Sequence, residues 1–484
     1  MTTLLISLAV LIGGYFIYGL LAERIFGVEP SRPTPATTMA DGVDFVPLPT
    51  WKVFLIQFLN IAGLGPIFGA IMGAMYGPAA FIWIVAGTIF GGAVHDFVSG
   101  MMSLRSGGLS LPELIGKELG MPARQFLRLL SVVLLVLVGA VFVVSPAALL
   151  DKMTPAWGTA TLFTAIIFGY YLLATLLPVD KLIGRLYPVF GFALLFMAAG
   201  LLGVLLFGGV TIPDGFADGL DNRHPSAADH SLFPMLFVSI ACGAVSGFHA
   251  TQSPMMARCL RNERLARPVF YGAMVAEGIV ALIWAAAAIA FTGGYEGLGE
   301  YMASHSGPAD LVNDISVGWL GAVGGVLAVL GVVAAPITTG DTALRSARLI
   351  VADIFSIPQK TIGKRLAVTL PIFAAAFVLM LIDFNILWRY FAWVNQTLAA
   401  FTLWGCAVYL ARNGRAYVLC LVPAMYMTAV VATYLFYAPR PEGFGLGIST
   451  ASTIAGVVTA LCTALFARFV LRQRAASALG DPTF

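Results

Sequence analysis

Residues 241–254 read ACGAVSGFHATQSP, a run that combines two glycines, a proline and five polar side chains. Apolar sequence lies on both sides of it, and 59% of the 484 residues are hydrophobic while 11% are charged. Soluble proteins carry about 25% charged residues, so this chain is too apolar to cover a surface that faces water. Its apolar runs are near-continuous over about 20 residues, which excludes the alternating strands of a β-barrel. The predicted fold class is an all-α polytopic membrane protein.

The apolar runs, flanked by charge or by Gly and Pro, predict thirteen transmembrane helices. Residues 241–254 belong to the seventh of them. The predicted spans cover residues 2–22, 53–76, 79–101, 128–149, 157–177, 187–208, 232–255, 270–292, 317–340, 366–383, 387–411, 416–437 and 450–471.

The distribution of positive charge predicts the orientation of the chain. Cytoplasmic loops are enriched in Lys and Arg. If the N-terminus lies outside, only Lys152, Arg223, Arg389 and Arg440 of the 27 Lys and Arg residues fall on the outer side. An even number of spans would break this alternation. We therefore expect a multi-pass membrane protein, with a cytoplasmic C-terminus and a first span that is retained and not cleaved as a signal peptide.

Several functional classes are excluded by what the sequence lacks. No block of basic residues interleaved with aromatic residues is present, so nucleic acid is not an expected partner. The five cysteines have no C-x-x-C spacing, and we expect free thiols, with no metal cluster and no cofactor. The motifs H-E-x-x-H and G-x-S-x-G are absent, so an enzyme is not expected. The acidic outer loops, 209–231 and 293–315, are either solvated or ion-attracting.

The second span contains Asn60 followed by Ile-Ala-Gly-Leu-Gly-Pro, which ends at Pro66. Two glycines and a proline so close together predict an interrupted helix whose free backbone groups lie near mid-membrane. The alternative is close packing of helices through small residues. Backbone at this depth leaves the helical form only where it lines a cavity, so such a break indicates a binding site.

The polar run of the seventh span predicts a second break, around Gly243 and Gly247. Polar side chains in lipid are costly, so they are expected to face an interior cavity. For His249 the alternative is a histidine whose hydrogen bonds merely bridge two helices. The substrate-binding candidates at the two breaks are Asn60, Gly63, Gly65, Pro66, Ser246, His249, Thr251 and Gln252.

The two predicted breaks are five spans apart, and five is an odd number. Spans two to six and spans seven to eleven therefore form units of opposite orientation, each of which begins with an interrupted helix. This is the arrangement of a secondary transporter built from an inverted repeat. The predicted domains are an extra helix and loop at 1–52, the repeats at 53–208 and 232–411, and two extra helices with a cytoplasmic tail at 412–484.

The ninth span carries a candidate sodium site. Thr338 and Thr339 offer two hydroxyls, and the carbonyls of Ala335, Ala62 and Gly65 would complete a set of oxygen ligands. The alternative is that the hydroxyls donate to carbonyls of their own helix, as Ser and Thr commonly do in transmembrane helices.

Few ionisable groups lie inside the predicted spans, and each is a candidate for proton coupling. Asp96 either carries a proton or pairs with an arginine of the inner face such as Arg105. Asp341 is spaced to form an i,i+4 pair with Arg345. The full set of proton-coupling candidates is His95, Asp96, His249, Glu277 and Asp341.

Three of these stretches resemble motifs of one known family, the carbon starvation CstA family. Residues 60–66 resemble its Ala-Gly-x-Gly-Pro signature, and residues 246–249 resemble its Ser-Gly-Phe-His motif. Residues 92–97, followed by 103–113, resemble a further motif in which many longer members have Gln at the position of His95. The resemblance extends over about residues 50–470.

The resemblance implies an inner-membrane secondary transporter, in a family linked to uptake of peptides and, for some members, of pyruvate with protons. That family is grouped with the superfamily of the LeuT-type five-plus-five inverted repeat. In sodium-coupled members of the superfamily, an Ala-x-x-(Ser/Thr)-(Ser/Thr) pattern on the eighth core helix binds the ion. Ala335, Thr338 and Thr339 match that pattern.

The sequence thus predicts a cation-coupled symporter that imports small peptides, or a small carboxylate such as pyruvate, by alternating access. The coupling ion is sodium or a proton. The alternatives are a membrane channel and a sensor that binds the same ligand without transporting it. The last two spans either form a homodimer contact or pack against the core.

Overall fold

The structure is a computed structural model that describes residues 1–41, 45–154, 157–174, 180–217, 219–305, 307–358 and 361–478; for 180–188 and 477–478 it describes the backbone alone. Residues 175–177 of the fifth predicted span and Asp218 of the first acidic loop lie outside the described residues. Position 306 of the second acidic loop and the end of the predicted cytoplasmic tail, 479–484, lie outside them as well.

The described residues form helices joined by loops, the longest of which covers 208–231, and they contain no strand. The helices are α1 (Thr2–Phe26), α2 (Pro35–Thr38), α3 (Thr50–Ile61), α4 (Ala70–Ala74), α5 (Ala79–Ala86), α6 (Ala93–Arg105), α7 (Leu111–Leu119), α8 (Met121–Met153), α9 (Ala160–Ala174), α10 (Asp180–Phe207), α11 (Phe237–Ser239), α12 (Gly247–Ala257), α13 (Gly272–Phe291), α14 (Tyr295–Ser304), α15 (Pro308–Ala328), α16 (Ala335–Ile354), α17 (Ile362–Leu379), α18 (Phe384–Arg412), α19 (Val418–Tyr437) and α20 (Ile448–Ala478).

Several spans contain a π-helical turn, which introduces one extra residue into the helical ladder. Such turns join α5 to α6 and α15 to α16 into continuous spans, whereas the turn before α4 follows a true interruption. The π-helical turns are Gly65–Gly69, Gly87–Gly92, Leu232–Leu236, Arg267–Tyr271 and Val329–Ala334.

Each of the thirteen predicted spans overlaps one or more of these helices. By length and apolar composition, nine helices of the described part could cross a membrane, and the bent pair that starts at Thr50 makes ten. The predicted spans 157–177, 232–255 and 387–411 do not meet this test, the first because α9 has only 15 residues. The chain is therefore a multi-pass membrane protein, and the number thirteen stays a prediction.

Two long helices organise the packing. α8 packs against α7, α9, α16 and α18, and α13 packs against α1, α3, α4 and α10. α13 is rich in Ala, which lets neighbouring backbones approach closely where no hydrophobic driving force from water is available. Most of its side chains, including the large Trp284, are fully buried. α3, α6 and α12 converge beside α13, and the candidate site lies among these four helices.

Candidate functional site

The first interruption of a span follows α3, as the sequence predicts. α3 ends at Ile61, residues 62–64 are not helical, and the helix resumes in a π-helical turn at Gly65. The axis bends by 56° between the two parts. Pro66 stands at the start of the second part, where its missing N–H leaves no donor unpaired. Gly63 lies within the break and approaches the ring of Phe142 on α8.

The second interruption separates α11, which ends at Ser239, from α12, which begins at Gly247. Gly243 adopts a φ of +90°, a conformation that favours glycine. Carbonyl groups freed by the break are hydrogen-bonded by side chains of the span Ala79–Arg105. Nε1 of Trp83 donates to the carbonyl of Ile240 at 3.1 Å, and the hydroxyl of Thr88 donates to that of Gly243 at 2.9 Å. These bonds satisfy backbone groups that lipid cannot satisfy.

The two interruptions lie against each other. Gly65 is in van der Waals contact with the side chain of Cys242, and a Cβ added at Gly243 would lie 3.6 Å from Cα of Pro66. Because Gly65 has no side chain, the first break can approach the second this closely. The irregular backbone of both breaks therefore borders one place in the middle of the helix bundle.

Asn395 on α18 holds the second break in shape. Its Oδ1 accepts hydrogen bonds from the backbone N–H of Phe248 at 2.7 Å and from the hydroxyl of Ser246 at 3.2 Å. Its Nδ2 lies 3.0 Å from the Ser246 hydroxyl and 3.4 Å from Sγ of Cys242. Sequence reasoning missed this residue. The signal for it was an Asn-Gln pair in the apolar span 387–411.

The polar candidates near the second break differ in how far they are satisfied. Ser246 is bonded to Asn395, and the hydroxyl of Thr251 donates to the carbonyl of Phe248 at 2.6 Å. Gln252 donates from Nε2 to the Thr251 hydroxyl at 2.9 Å, and its Oε1 has no partner among the described residues. Near the end of α3, just before the first break, both amide atoms of Asn60 also lack a partner among the described residues. Asn60 and the Gln252 oxygen are therefore free to meet a ligand.

Four of the five proton-coupling candidates come together in one buried cluster. Nδ1 of His95 lies 2.7 Å from Oδ1 of Asp96, and Nδ1 of His249 lies 2.9 Å from Oδ2 of the same carboxylate. Nε2 of His249 faces Oε2 of Glu277 at 3.4 Å. All four side chains have 0% exposure. The cluster of His95, Asp96, His249 and Glu277, called the buried ionic cluster below, joins α6, α12 and α13.

The alternative interpretation of Asp96, pairing with Arg105, is wrong. Arg105 instead makes a bidentate pair with Glu263, with nitrogen–oxygen distances of 2.9 and 2.8 Å. Arg105 lies at the C-terminal end of α6, more than two turns beyond Asp96, so its side chain reaches the loop after α12.

Asp341 does not share in the cluster's ion pairs. Its carboxylate lies 3.5 Å from the guanidinium of Arg345, the i,i+4 partner that the sequence predicts. Arg345 also donates to the carbonyl of Ala174, which ties α16 to α9. Asp341 therefore pairs with an arginine that links α16 to α9, which indicates a packing role for its carboxylate.

Cys242 lies beside the buried ionic cluster, but its thiol is already engaged by other side chains. Its Sγ and the ligand atoms of His249 and Glu277 lie within 4.8 Å of one another, a grouping that could hold a metal ion. The sulfur, however, is already within 3.4 Å of the Asn395 amide and 3.5 Å of the Ser246 hydroxyl. We assign the thiol to the hydrogen-bond network of the second break.

The sodium candidates show the alternative hydrogen bonds that the sequence left open. The hydroxyls of Thr338 and Thr339 donate to the carbonyl of Ala335, at 2.7 and 3.2 Å. α16 contacts α3, so these hydroxyls lie on a helix adjacent to the one that ends just before Ala62. The sodium site stays a prediction.

Comparisons with known proteins define the class and then the family. The structure is similar to that of the Eremococcus coleocola manganese transporter, with a TM-score of 0.53, 12% identity, and coverage of 90% of this chain and 99% of that one. At such low identity the likeness concerns the fold alone. The all-helical fold of this chain is therefore shared with a solved membrane transporter.

The family follows from sequence comparison. The family model "Carbon starvation protein CstA" matches residues 1–173 and 150–317, and the chain belongs to this family. It is 46% identical to an uncharacterized membrane protein of Haemophilus influenzae over 58% of this chain and 89% of that protein.

Two relatives in Escherichia coli have functional names. The chain is 30% identical to the pyruvate/proton symporter BtsT and 30% identical to the peptide transporter CstA, in each case over 63% of its length. It covers 50% and 53% of these proteins, so it spans about half of their length.

Proposed function

We propose that the protein is a proton-coupled symporter that imports a small peptide, or a small carboxylate such as pyruvate, by alternating access. The buried ionic cluster carries this proposal. Two imidazoles and two carboxylates lie within hydrogen-bond or ion-pair distance on three different helices, with no exposure to solvent. Imidazole exchanges protons near neutral pH more readily than any other side chain.

The position of the cluster suggests how proton binding would be coupled to conformation. His249 lies on α12, two residues beyond the start of the helix that follows the second break. A charge in the membrane interior needs a partner, so a change in the proton count of the cluster changes how strongly α12 is held against α6 and α13. Coupling requires that the proton bind one conformation more tightly than the other. A cluster that holds three helices together would bind the proton differently when α12 moves away from α6 and α13.

The substrate would bind where the two breaks meet. Asn60 and Oε1 of Gln252 can still form hydrogen bonds, because they have no partner among the described residues. Gly63, Gly65 and Pro66 carry no long side chain, so the first break occupies little space where it borders the second. Ser246 and Thr251 would act by shaping the second break, since their hydroxyls are already bonded. The names of the two Escherichia coli relatives support the choice of peptide and pyruvate as substrate classes.

The proposed transport mechanism uses a LeuT-like core of two inverted five-helix repeats, 53–208 and 232–411, in the bacterial inner membrane with the N-terminus outside. The interruptions after α3 and α11 support it, because each falls in the first helix of its repeat. Rocking of one helix group against the other around the breaks would open the site to each side in turn.

Uptake by purified protein in liposomes tests the proposal. Labelled pyruvate and a labelled tripeptide are offered separately, under an inward proton gradient and under an inward sodium gradient. We expect proton-driven accumulation of at least one solute in the wild type and in Glu300→Gln, whose side chain is exposed. Glu277→Gln should lose it, because the replacement removes the carboxylate that faces His249.

Other results would contradict the proposal in distinct ways. Sodium-driven uptake that disappears in the double variant Thr338→Ala/Thr339→Ala would establish the sodium site instead. Flux far above carrier rates, without accumulation against a gradient, would indicate a channel. Binding of either solute without any uptake would indicate a sensor.

A further inference from the structure

Gln57 on α3 is a fully buried amide with no function in the cluster or in the breaks. Its exposure is 0%, and neither Oε1 nor Nε2 has a hydrogen-bond partner among the described residues. Asn60, three positions later on the same helix, is in the same condition at both of its amide atoms. Residues three apart lie on one face of a helix, so four unpaired polar atoms are presented together, one turn before the first break.

Asn395 shows that a carboxamide buried in this bundle can have both of its amide atoms hydrogen-bonded. Asn395 has the same 0% exposure, yet its amide bonds to the Phe248 backbone and the Ser246 hydroxyl. Burying an amide without a hydrogen-bond partner is costly. Four such atoms in one turn therefore indicate a place suited to bind a polar ligand.

We propose that Gln57 and Asn60 form a specificity-determining carboxamide pair that recognises a substrate carrying a hydrogen-bond donor next to an acceptor. Each carboxamide offers two N–H donors and one oxygen acceptor. A peptide unit, with its N–H and C=O, meets both kinds of atom. A pyruvate anion has acceptors only and leaves the two amide oxygens unpaired. The inference rests on the proposed function and narrows its substrate to the peptide class.

The ester analogue of a dipeptide isolates this contact. Alanyl-alanine and alanyl-lactate differ at the central linkage, where an N–H is replaced by oxygen. Competition against labelled alanyl-alanine uptake in liposomes measures both affinities. We expect the wild type to prefer the peptide about tenfold, because the ester leaves a buried acceptor unpaired. In Gln57→Met, which keeps the volume and removes the amide, the preference should shrink to about twofold or less.

Two further variants distinguish loss of the amide contact from general disruption of the fold. Gln57→Glu keeps acceptor oxygens at the same place and should retain a preference for the peptide over the ester. Thr433→Val removes an equally buried hydroxyl that also lacks a partner, on α19, and should leave the preference unchanged. Equal affinity for peptide and ester in the wild type overturns the proposal, and so does an undiminished preference in Gln57→Met.

The outcomes also separate this inference from the proposed function. Proton-driven uptake of pyruvate with no binding of alanyl-alanine would overturn the carboxamide pair and leave proton symport intact. Binding of alanyl-alanine that raises the unfolding temperature, without proton-driven uptake of any solute, would support the pair and overturn symport.

Discussion

Nδ1 of His249 lies 2.9 Å from Oδ2 of Asp96, although 153 positions separate the two residues along the chain. The other carboxylate oxygen of Asp96 lies 2.7 Å from Nδ1 of His95. One fully buried carboxylate thus holds two imidazoles, one from its own helix and one from α12. This contact fixes the helix that follows the second break against α6, because an unpaired charge at this depth is costly.

Replacing Asp96 with Asn should abolish proton-driven accumulation of substrate. The amide keeps the size of the side chain but cannot balance a protonated His249, so the cluster loses its means of holding a proton. Uptake driven by a proton gradient in liposomes is the measurement, with Asp353→Asn, an exposed carboxylate, as the matched control. Accumulation by Asp96→Asn at the wild-type level would show that the proton passes elsewhere.

Replacing Gly243 with Ala should destabilise the second break by about 1–3 kcal/mol. The residue has a φ of +90°, and the added Cβ would lie 2.9 Å from that of Ala281. The midpoint of thermal unfolding in detergent measures the effect. Gly13→Ala on α1 is the control, since its added Cβ meets nothing within 4 Å and should be neutral or slightly stabilising. Similar midpoints for both variants would mean that the break tolerates other conformations.

Breaking the Arg105–Glu263 pair should cost about 3–5 kcal/mol of stability. The side chain of Glu263 is 1% exposed and that of Arg105 is 14% exposed, so Arg105→Gln leaves a buried carboxylate without its bidentate partner. Arg32 also approaches Glu263, at 3.6 Å, but is 44% exposed. Arg32→Gln should therefore cost about 1 kcal/mol or less. Unfolding midpoints that fall equally in the two variants would contradict this ranking.

Acid should destabilise the loop between α10 and α11, which contains His224. Burial, with contributions from His230 and Arg389, lowers the pKa of His224 to about 4 from its usual 6.5. The unfolded chain therefore binds a proton here that the folded protein does not, so stability falls as the pH drops from about 6.5 towards 4. The unfolding midpoint of the wild type should fall more steeply over this range than that of His224→Gln. If the unfolding midpoints of the two proteins fall equally with pH, groups other than His224 control the acid sensitivity.

This loop packs against the end of the interrupted span that contains the first break. His224 stacks on His230 with ring centroids 4.3 Å apart and lies 4.7 Å from the ring of Tyr76, which follows α4. The backbone N–H of Arg223 also donates to the carbonyl of Tyr76. A protonated His224 would lose this packing next to the end of the interrupted span.

Local sequence was enough to predict the two helix breaks. Gly65 and Pro66, or Gly243 and Gly247, disfavour a regular helix by their own backbone properties, whatever surrounds them. The Asp341–Arg345 pair was predictable for a similar reason, since i,i+4 spacing brings the two side chains together within a single helix.

Long-range partners were beyond the reach of the same reasoning. Pairing of Asp96 with Arg105 was considered because both lie in the second half of one span, yet Arg105 binds Glu263 and Asp96 binds His249. Asn395 and Gln57 were overlooked because amides in an apolar span, even neighbouring ones such as Asn395 and Gln396, have no spacing that shows which helix they face. Their roles depend on which helices pack beside them.

The sequence by itself determined that this protein is a helical membrane protein, where its helices are interrupted, and which family it resembles. These properties depend on the hydrophobicity of about 20-residue segments and on the backbone preferences of Gly and Pro, which act locally. Only the tertiary structure decided that His95, Asp96, His249 and Glu277 share one buried cluster, and that the amides of Gln57 and Asn60 have no partner in the part of the chain that the structure describes. Hydrogen bonds and ion pairs need atoms within about 3–4 Å of one another, and only the packing of α3, α6, α12 and α13 brings such atoms together.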